Sequence, residues 1–166
     1  MDSTTARLQA DFDEFPYEEL VHGKTHPERL AVIAMLGGME PTNIVALNNL
    51  AFVLAVRRSA PAEAVSFARR AATLAPGSGA VLDTLGWIEH LLGNPDAAAS
   101  LLEQAVRLEP GQANIRLHAA VVYVATGKRD AAEKELKETL RLDPTLEDHD
   151  DVRKLRERLA VAKQIR

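Results

Sequence analysis

From residue 44 to residue 142, apolar side chains recur three and four residues apart, the spacing of helices with one buried face. The pattern predicts helix pairs at roughly 44 to 57 with 61 to 74, 79 to 92 with 95 to 108, and 113 to 126 with 129 to 142. Proline marks the joints. Pro76-Gly77-Ser78-Gly79, Pro110-Gly111 and Pro144 each stop a helix, since Pro cannot continue one and Gly accepts a left-handed C-terminal cap. Asn94-Pro95-Asp96 offers an N-cap, a proline at the first helical position and a carboxylate at the positive end of the helix dipole.

The helix pairs repeat at a period of thirty-four residues. Leu85-Gly86, Gly93, Ala98, Leu102, Ala105 and Pro110 return as Ala119-Ala120, Gly127, Ala132, Leu136, Thr139 and Pro144. An earlier copy carries Leu50-Ala51, Ala64, Ala68, Ala71 and Pro76 in the same roles, with one extra residue placed in the turn Arg57-Arg58-Ser59-Ala60-Pro61. After Pro144, Thr145-Leu146-Glu147-Asp148 reads as a capping box, and Val152, Leu155, Leu159 and Ala162 share one face of a final helix.

Period and signature resemble the tetratricopeptide repeat, a helical hairpin closed by proline. The resemblance implies an all-α, right-handed superhelical solenoid of three hairpins, with an N-terminal extension over residues 1–40. The repeat domain then spans 41–166, and its capping helix begins at about 145 and covers the last hairpin, as a repeat array requires. Members of that family bind other proteins, so the expected activity is a non-catalytic adaptor.

Composition narrows the choice. Hydrophobic residues make up 46% and aromatics only 4%, the balance of an Ala- and Leu-rich helical array. No cysteine is present, which removes disulfides, thiolate metal sites and cysteine nucleophiles. No secretory leader and no membrane span are read, so the protein is expected in the cytoplasm with no membrane partner. The net charge of -4 is unevenly placed: residues 1–40 hold eight acidic and three basic side chains, leaving the repeats near neutral. Nucleic acid is therefore not an expected partner, because phosphate binding needs a concentrated positive field.

Residues 1–40 do not fit the repeat. Phe12, Phe15 and Tyr17 are interleaved with Asp11, Asp13, Glu14, Glu18 and Glu19, and Pro27 to about Leu36 reads as a short helix able to cover the front of the array. Arg57, Arg58, Arg69 and Arg70 are the expected partners of these carboxylates. The stretches Phe12–Tyr17 and Thr25–Pro41 also resemble the segment preceding the cofactor domain of some S-adenosylmethionine-dependent methyltransferases. The strand and glycine loop that would follow in such an enzyme are missing, so the resemblance implies a methyltransferase as partner, not an activity of this chain.

In tetratricopeptide arrays the first helix of each hairpin lines the concave face. Carried onto this sequence, the groove positions include Asn48, Asn49, Phe52 and Val56; Asp83, Thr84, Trp87, His90 and Leu91; and Asn114, Leu117, His118 and Val121. Relatives that grip a peptide's terminal carboxylate use Lys, Asn and Arg where this chain has Asn48, Phe52, Thr84, Asn114 and His118, so no charge clamp is expected. The expected ligand is an extended or helical apolar segment, its backbone met by Asn48, Asn49 and Asn114, at micromolar affinity, about 8 kcal/mol. Trp87 is expected either to contact the partner or to pack on the leader or a neighbouring helix.

No catalytic constellation, cofactor loop or metal site is read. Gly77-Ser78-Gly79 lacks the preceding strand of a dinucleotide loop, His22 and His26 lack a third ligand, and the acidic run at 147–151 suits a helix N-terminus without a metal. Phrases such as Asp83-Thr84-Leu85-Gly86-Trp87 resemble bacterial members of the family. The rivals to the adaptor are a secretion-type chaperone, which would homodimerise, and an accessory or regulatory subunit of a methyltransferase.

Overall fold

A computed structural model describes residues 42–164, with side chains described as far as residue 160. The expectations for the leader, including its aromatics, the 27–36 helix, His22 with His26 and the methyltransferase-like stretch, lie outside the described residues.

Seven α-helices follow one another with no strand among the described residues. Three antiparallel hairpins are formed by α1 (Ile44–Phe52) with α2 (Pro61–Leu74), α3 (Gly79–Leu91) with α4 (Pro95–Leu108), and α5 (Ala113–Ala125) with α6 (Arg129–Leu142). A seventh helix, α7 (Asp150–Gln164), lies against α5 and α6. Each second helix packs on the first helix of the next hairpin, and successive first helices also touch.

Alanine permits this stacking. Ala64, Ala68 and Ala71 on α2 are fully buried, as are Ala98, Leu102 and Ala105 on α4. On α6 the corresponding Ala132 and Thr139 are fully buried and Leu136 is nearly so; the Thr139 hydroxyl donates to the Glu135 carbonyl at 2.9 Å. At Gly86 the helices approach closely: a Cβ there would lie 2.9 Å from Leu102 Cγ and 3.3 Å from Leu101 Cβ. Ala51 and Ala120 hold that place in the flanking hairpins.

The turns inside the hairpins repeat as well. Gly93 and Gly127 take left-handed backbone at φ 82° and 73°, and the amides of Asn94 and Lys128 donate to the carbonyls of Glu89 and Tyr123, five residues back. In the first hairpin the equivalent Ala60 amide reaches six residues back, to Leu54. The extra residue is taken up by a π-helical segment, Val53–Arg57, and not by the turn alone. Adding one residue to a helix end widens the hydrogen-bonded ring locally and keeps the next helix in register. Ser59 then occupies the left-handed position at φ 52°.

Three capping details differ from the sequence expectation. Asn94 precedes α4 as expected, but its side chain donates to Glu89 Oε2 at 2.8 Å and does not cap the helix. Gly77 and Gly111 are not left-handed; the chain leaves α2, α4 and α6 through non-helical Ala75, Glu109 and Asp143, each kept out of the α region by the proline that follows it. Thr145 does not cap α7. Asp143 collects its amide and hydroxyl in a 3-10 turn over Pro144–Asp148, and α7 starts later, with His149 Nδ1 accepting from the Asp151 amide at 3.3 Å. The α7 face itself is as expected, with Val152, Leu155 and Leu159 buried against the last hairpin. Ala162 lies beyond the described side chains.

Candidate functional site: the inner face of the solenoid

The first helices α1, α3 and α5 stand side by side and present the positions read as groove-lining. On the front helix this face carries exposed apolar side chains. Val45 is 52% exposed, Phe52 39% and Val56 42%, and Leu91 on α3 is 42% exposed. Beside them sit half-buried Asn48 and Asn49, and Asn48 Oδ1 is sealed from solvent with no hydrogen-bond partner among the described residues.

The centre of the face is polar and aromatic. Trp87 on α3 stacks on His118 of α5, ring centroids 4.3 Å apart at 23°, and meets His90 one turn along its own helix at 5.3 Å. His118 Nδ1 lies 2.8 Å from Asp83 Oδ1. A carboxylate only accepts, so the Nδ1–H donates to it and Nε2 remains as the ring's other polar atom. Asp83, His118 and Trp87 thus fix one another across two repeats. Burial lowers the pKa of His90, and the positive charge of Arg158 and the neighbouring His118 push it the same way.

Arg158 belongs to α7, outside the repeat register, and the groove template had no place for it. Its signal was present in the sequence only as a cation between Leu155 and Leu159, two residues already assigned to a buried face. The inner face therefore does have a cation within electrostatic reach, though not at a clamp position.

Two groove assignments are corrected. Thr84 is buried, its hydroxyl donating to the Ala80 carbonyl at 3.1 Å, and Leu117 is buried in the cluster that includes Leu155 and Leu159. Neither offers surface to a ligand. Asn114 is exposed and Val121 half-buried.

Arginines elsewhere have structural partners. Arg69, expected to meet the leader, pairs with buried Glu89 at 2.7 Å. Burial alone would raise the Glu89 pKa, but hydrogen bonds from Arg69 and Asn94, together with the Arg69 charge, outweigh it and hold the carboxyl below its usual value. Arg116 and Glu135 form a mostly buried pair between α5 and α6, and Arg116 Nε also donates to the Pro110 carbonyl at 2.8 Å. Among the described residues no group of three or more His, Cys, Asp or Glu is placed to hold a metal ion, and no helix is long and apolar enough to cross a membrane. The 147–151 cluster is engaged locally, Glu147 with Arg156 at 2.6 Å and Asp150 with Arg153.

Comparison with known proteins agrees with this architecture. The tetratricopeptide repeat family model matches residues 89–159. The crystal structure of MamA is 18% identical with a TM-score of 0.63, covering 96% of this chain and 90% of that one. TTC0263, a thermophilic TPR protein of Thermus thermophilus, is 25% identical at a TM-score of 0.61, over 81% of this chain and 71% of that one. YrrB, described as a TPR protein with an unusual peptide-binding site, is 18% identical at a TM-score of 0.57, over 80% and 75% of the two chains. The comparison with curated proteins gave no match. Residues 89–159 thus match the tetratricopeptide repeat, and the described helices have the fold of a tetratricopeptide-repeat solenoid.

Proposed function

We propose that this protein is a non-catalytic adaptor whose inner face holds an apolar peptide or helical segment of a partner protein, acting in the cytoplasm of a bacterium. The observation that carries the reading is the exposed set Val45, Phe52, Val56 and Leu91, on the first helices and the π-helical segment that follows α1, none of them part of the hydrophobic clusters that stabilise the array. Solvent-exposed apolar side chains gathered on one face are a cost in water unless a partner covers them. The fixed Trp87–His118–Asp83 group beside them supplies a rigid aromatic platform at low conformational cost, the type of anchor that dominates interface energies. A peptide-binding site in YrrB, a TPR protein of similar structure, is in keeping with this use of the fold.

The test is selection of binding peptides from a random library on the intact chain, followed by titration against Phe52→Glu and Leu91→Glu. Both side chains are exposed, so the variants should keep their helicity. Selected peptides should be amphipathic, bind at about micromolar Kd, and lose at least roughly tenfold in affinity for each variant, about 1.4 kcal/mol. Peptides bound equally by wild type and both variants would place the activity elsewhere.

A further inference from the structure

The bare stripe is concentrated on the front repeat, and this has a structural cause. One repeat on, Trp87 takes the place of Phe52, and it is covered by His118 from the following hairpin. The residue at the place of His118 one repeat earlier is Thr84, which carries no ring and turns its hydroxyl to the Ala80 carbonyl. Phe52 therefore receives no such ring from α3. Val121, at the same place in α5, is half-buried and packs on the hydrophobic cluster to which α7 contributes. The first hairpin exposes three inner apolar residues, Val45, Phe52 and Val56, and the same face carries Asn48 Oδ1, unsatisfied among the described residues.

Charge distinguishes this repeat as well. Residues 44–76 contain four arginines and one glutamate, and Arg57 and Arg58 close the C-terminal end of the stripe. Residues 1–40 carry the opposite excess, five of their eight carboxylates lying between Asp11 and Glu19 around Phe12, Phe15 and Tyr17. Aromatic and acidic residues alternating in one short stretch match an apolar stripe that ends in arginines. Reach is sufficient. Twenty-five residues separate Tyr17 from the Asn43 cap and span up to roughly 80 Å when extended, whereas the stripe lies along about 17 Å of helix.

We infer that the segment Phe12–Tyr17 of the same chain occupies the inner face of the first repeat, its rings on Val45, Phe52 and Val56 and its carboxylates toward Arg57 and Arg58, as an internal competitor of the partner. The inference shares its surface with the adaptor reading. A tether supplies a local concentration on the order of 1 mM, so a segment that alone binds at about 100 µM would weaken an outside ligand roughly tenfold.

The experiment places a photo-crosslinking benzoylphenylalanine at position 52 of the full chain and identifies the products by mass spectrometry. Crosslinks within one chain to residues 11–19 are expected. Crosslinks between two chains, to other segments, or none above the level of an exposed control at Leu74 would overturn the inference. A second measurement uses the absence of natural cysteine: Phe15→Cys with Val56→Cys should form an intramolecular disulfide under mild oxidation, and a Phe15→Cys with Leu74→Cys pair should not. Equal disulfide yields would also contradict it. Neither readout uses a partner, so the adaptor reading can fail while this one stands. Conversely, if library peptides bind, Phe12→Ser/Phe15→Ser/Tyr17→Ser should tighten them about tenfold, and unchanged affinity would count against competition.

Discussion

The first and last hairpins are built to the same plan and differ in what covers them. The last, α5–α6, has its inner residue Leu117 buried with α7, its Tyr123 and Leu136 in one continuous cluster with Leu155 and Leu159, and the Arg116–Glu135 pair locking its two helices together. The first, α1–α2, buries a run of alanines with Leu47, Leu50 and Leu54, and leaves Val45, Phe52 and Val56 exposed. It also absorbs an extra residue as a π-helical turn with Ser59 in a left-handed conformation. One end of the array is covered by its own last helix, and at the other three large apolar side chains of the inner face are exposed.

Mutations can break this contrast at several strengths. The largest effect is expected at Leu155, fully enclosed between α7 and the last hairpin. Leu155→Ala should cost about 2–5 kcal/mol and lower the thermal midpoint measured by circular dichroism, whereas Val45→Ala on the bare stripe should stay within about 0.5 kcal/mol of wild type. Equal losses would mean that the two ends are equally covered. Next is Glu135→Ala, which leaves Arg116 without its partner in a largely dry site and should cost about 3 kcal/mol in chemical denaturation. The same change at Glu89 should cost less, because Arg69 is mostly exposed and can turn to water.

Gly86→Ala sharpens the packing argument. The added methyl must displace Leu102, at about 1–3 kcal/mol, against about 1 kcal/mol gained in helix propensity, so a net loss of about 1 kcal/mol is expected. Ser59→Gly should work in the other direction, relieving the left-handed strain and stabilising the front hairpin by about 0.5–1 kcal/mol. No gain in the melting midpoint would show that Ser59 is not strained there.

Acid provides the finest test. The folded pKa of Glu89 is lowered, so its contribution is complete above the unfolded carboxylate value near 4.5 and is lost as pH falls through the lower folded value. His90 is lowered from 6.5, so its contribution is present above that value and declines as pH falls below it toward the folded value. Glu89→Gln should flatten the limb below about pH 4.5 and His90→Gln the one just below pH 6.5. Unchanged pH profiles of stability in both variants would rule out these two groups as the source.

Much of the array was legible in the residues because each hairpin repeats local rules. Proline at 61 and 95, glycine at 93 and 127, and alanine at 64, 98 and 132 fix helix starts, turns and close packing through contacts near in sequence, and the boundaries of α2 to α6 agree with the periodicity to within about a residue, while the first helix reaches Arg57 only through its π-helical segment. What escaped were choices between competing partners. Asn94 could cap α4 or bond Glu89, Thr145 could cap α7 or join Asp143, and an extra residue could sit in a turn or widen a helix; only the neighbours decide. The site shows the same division. The family template selects the inner faces, yet it cannot see that Thr84 satisfies itself on the Ala80 carbonyl, that α7 covers Leu117, or that α7 brings Arg158 into electrostatic reach of His90. The Trp87–His118 stack is a meeting of residues thirty-one apart, set by the superhelix.

Mapping a selected peptide on the full chain by amide and indole NMR shifts tests the central claim most directly. Asn49, Phe52, Val56, Leu91, Val121 and the Trp87 indole should shift on saturation, while Leu74 and Leu108, exposed apolar residues at the ends of α2 and α4, stay in place. Shifts centred on Leu74 and Leu108 with the Trp87 indole unmoved would show that the outer helices, and not the inner face, do the binding.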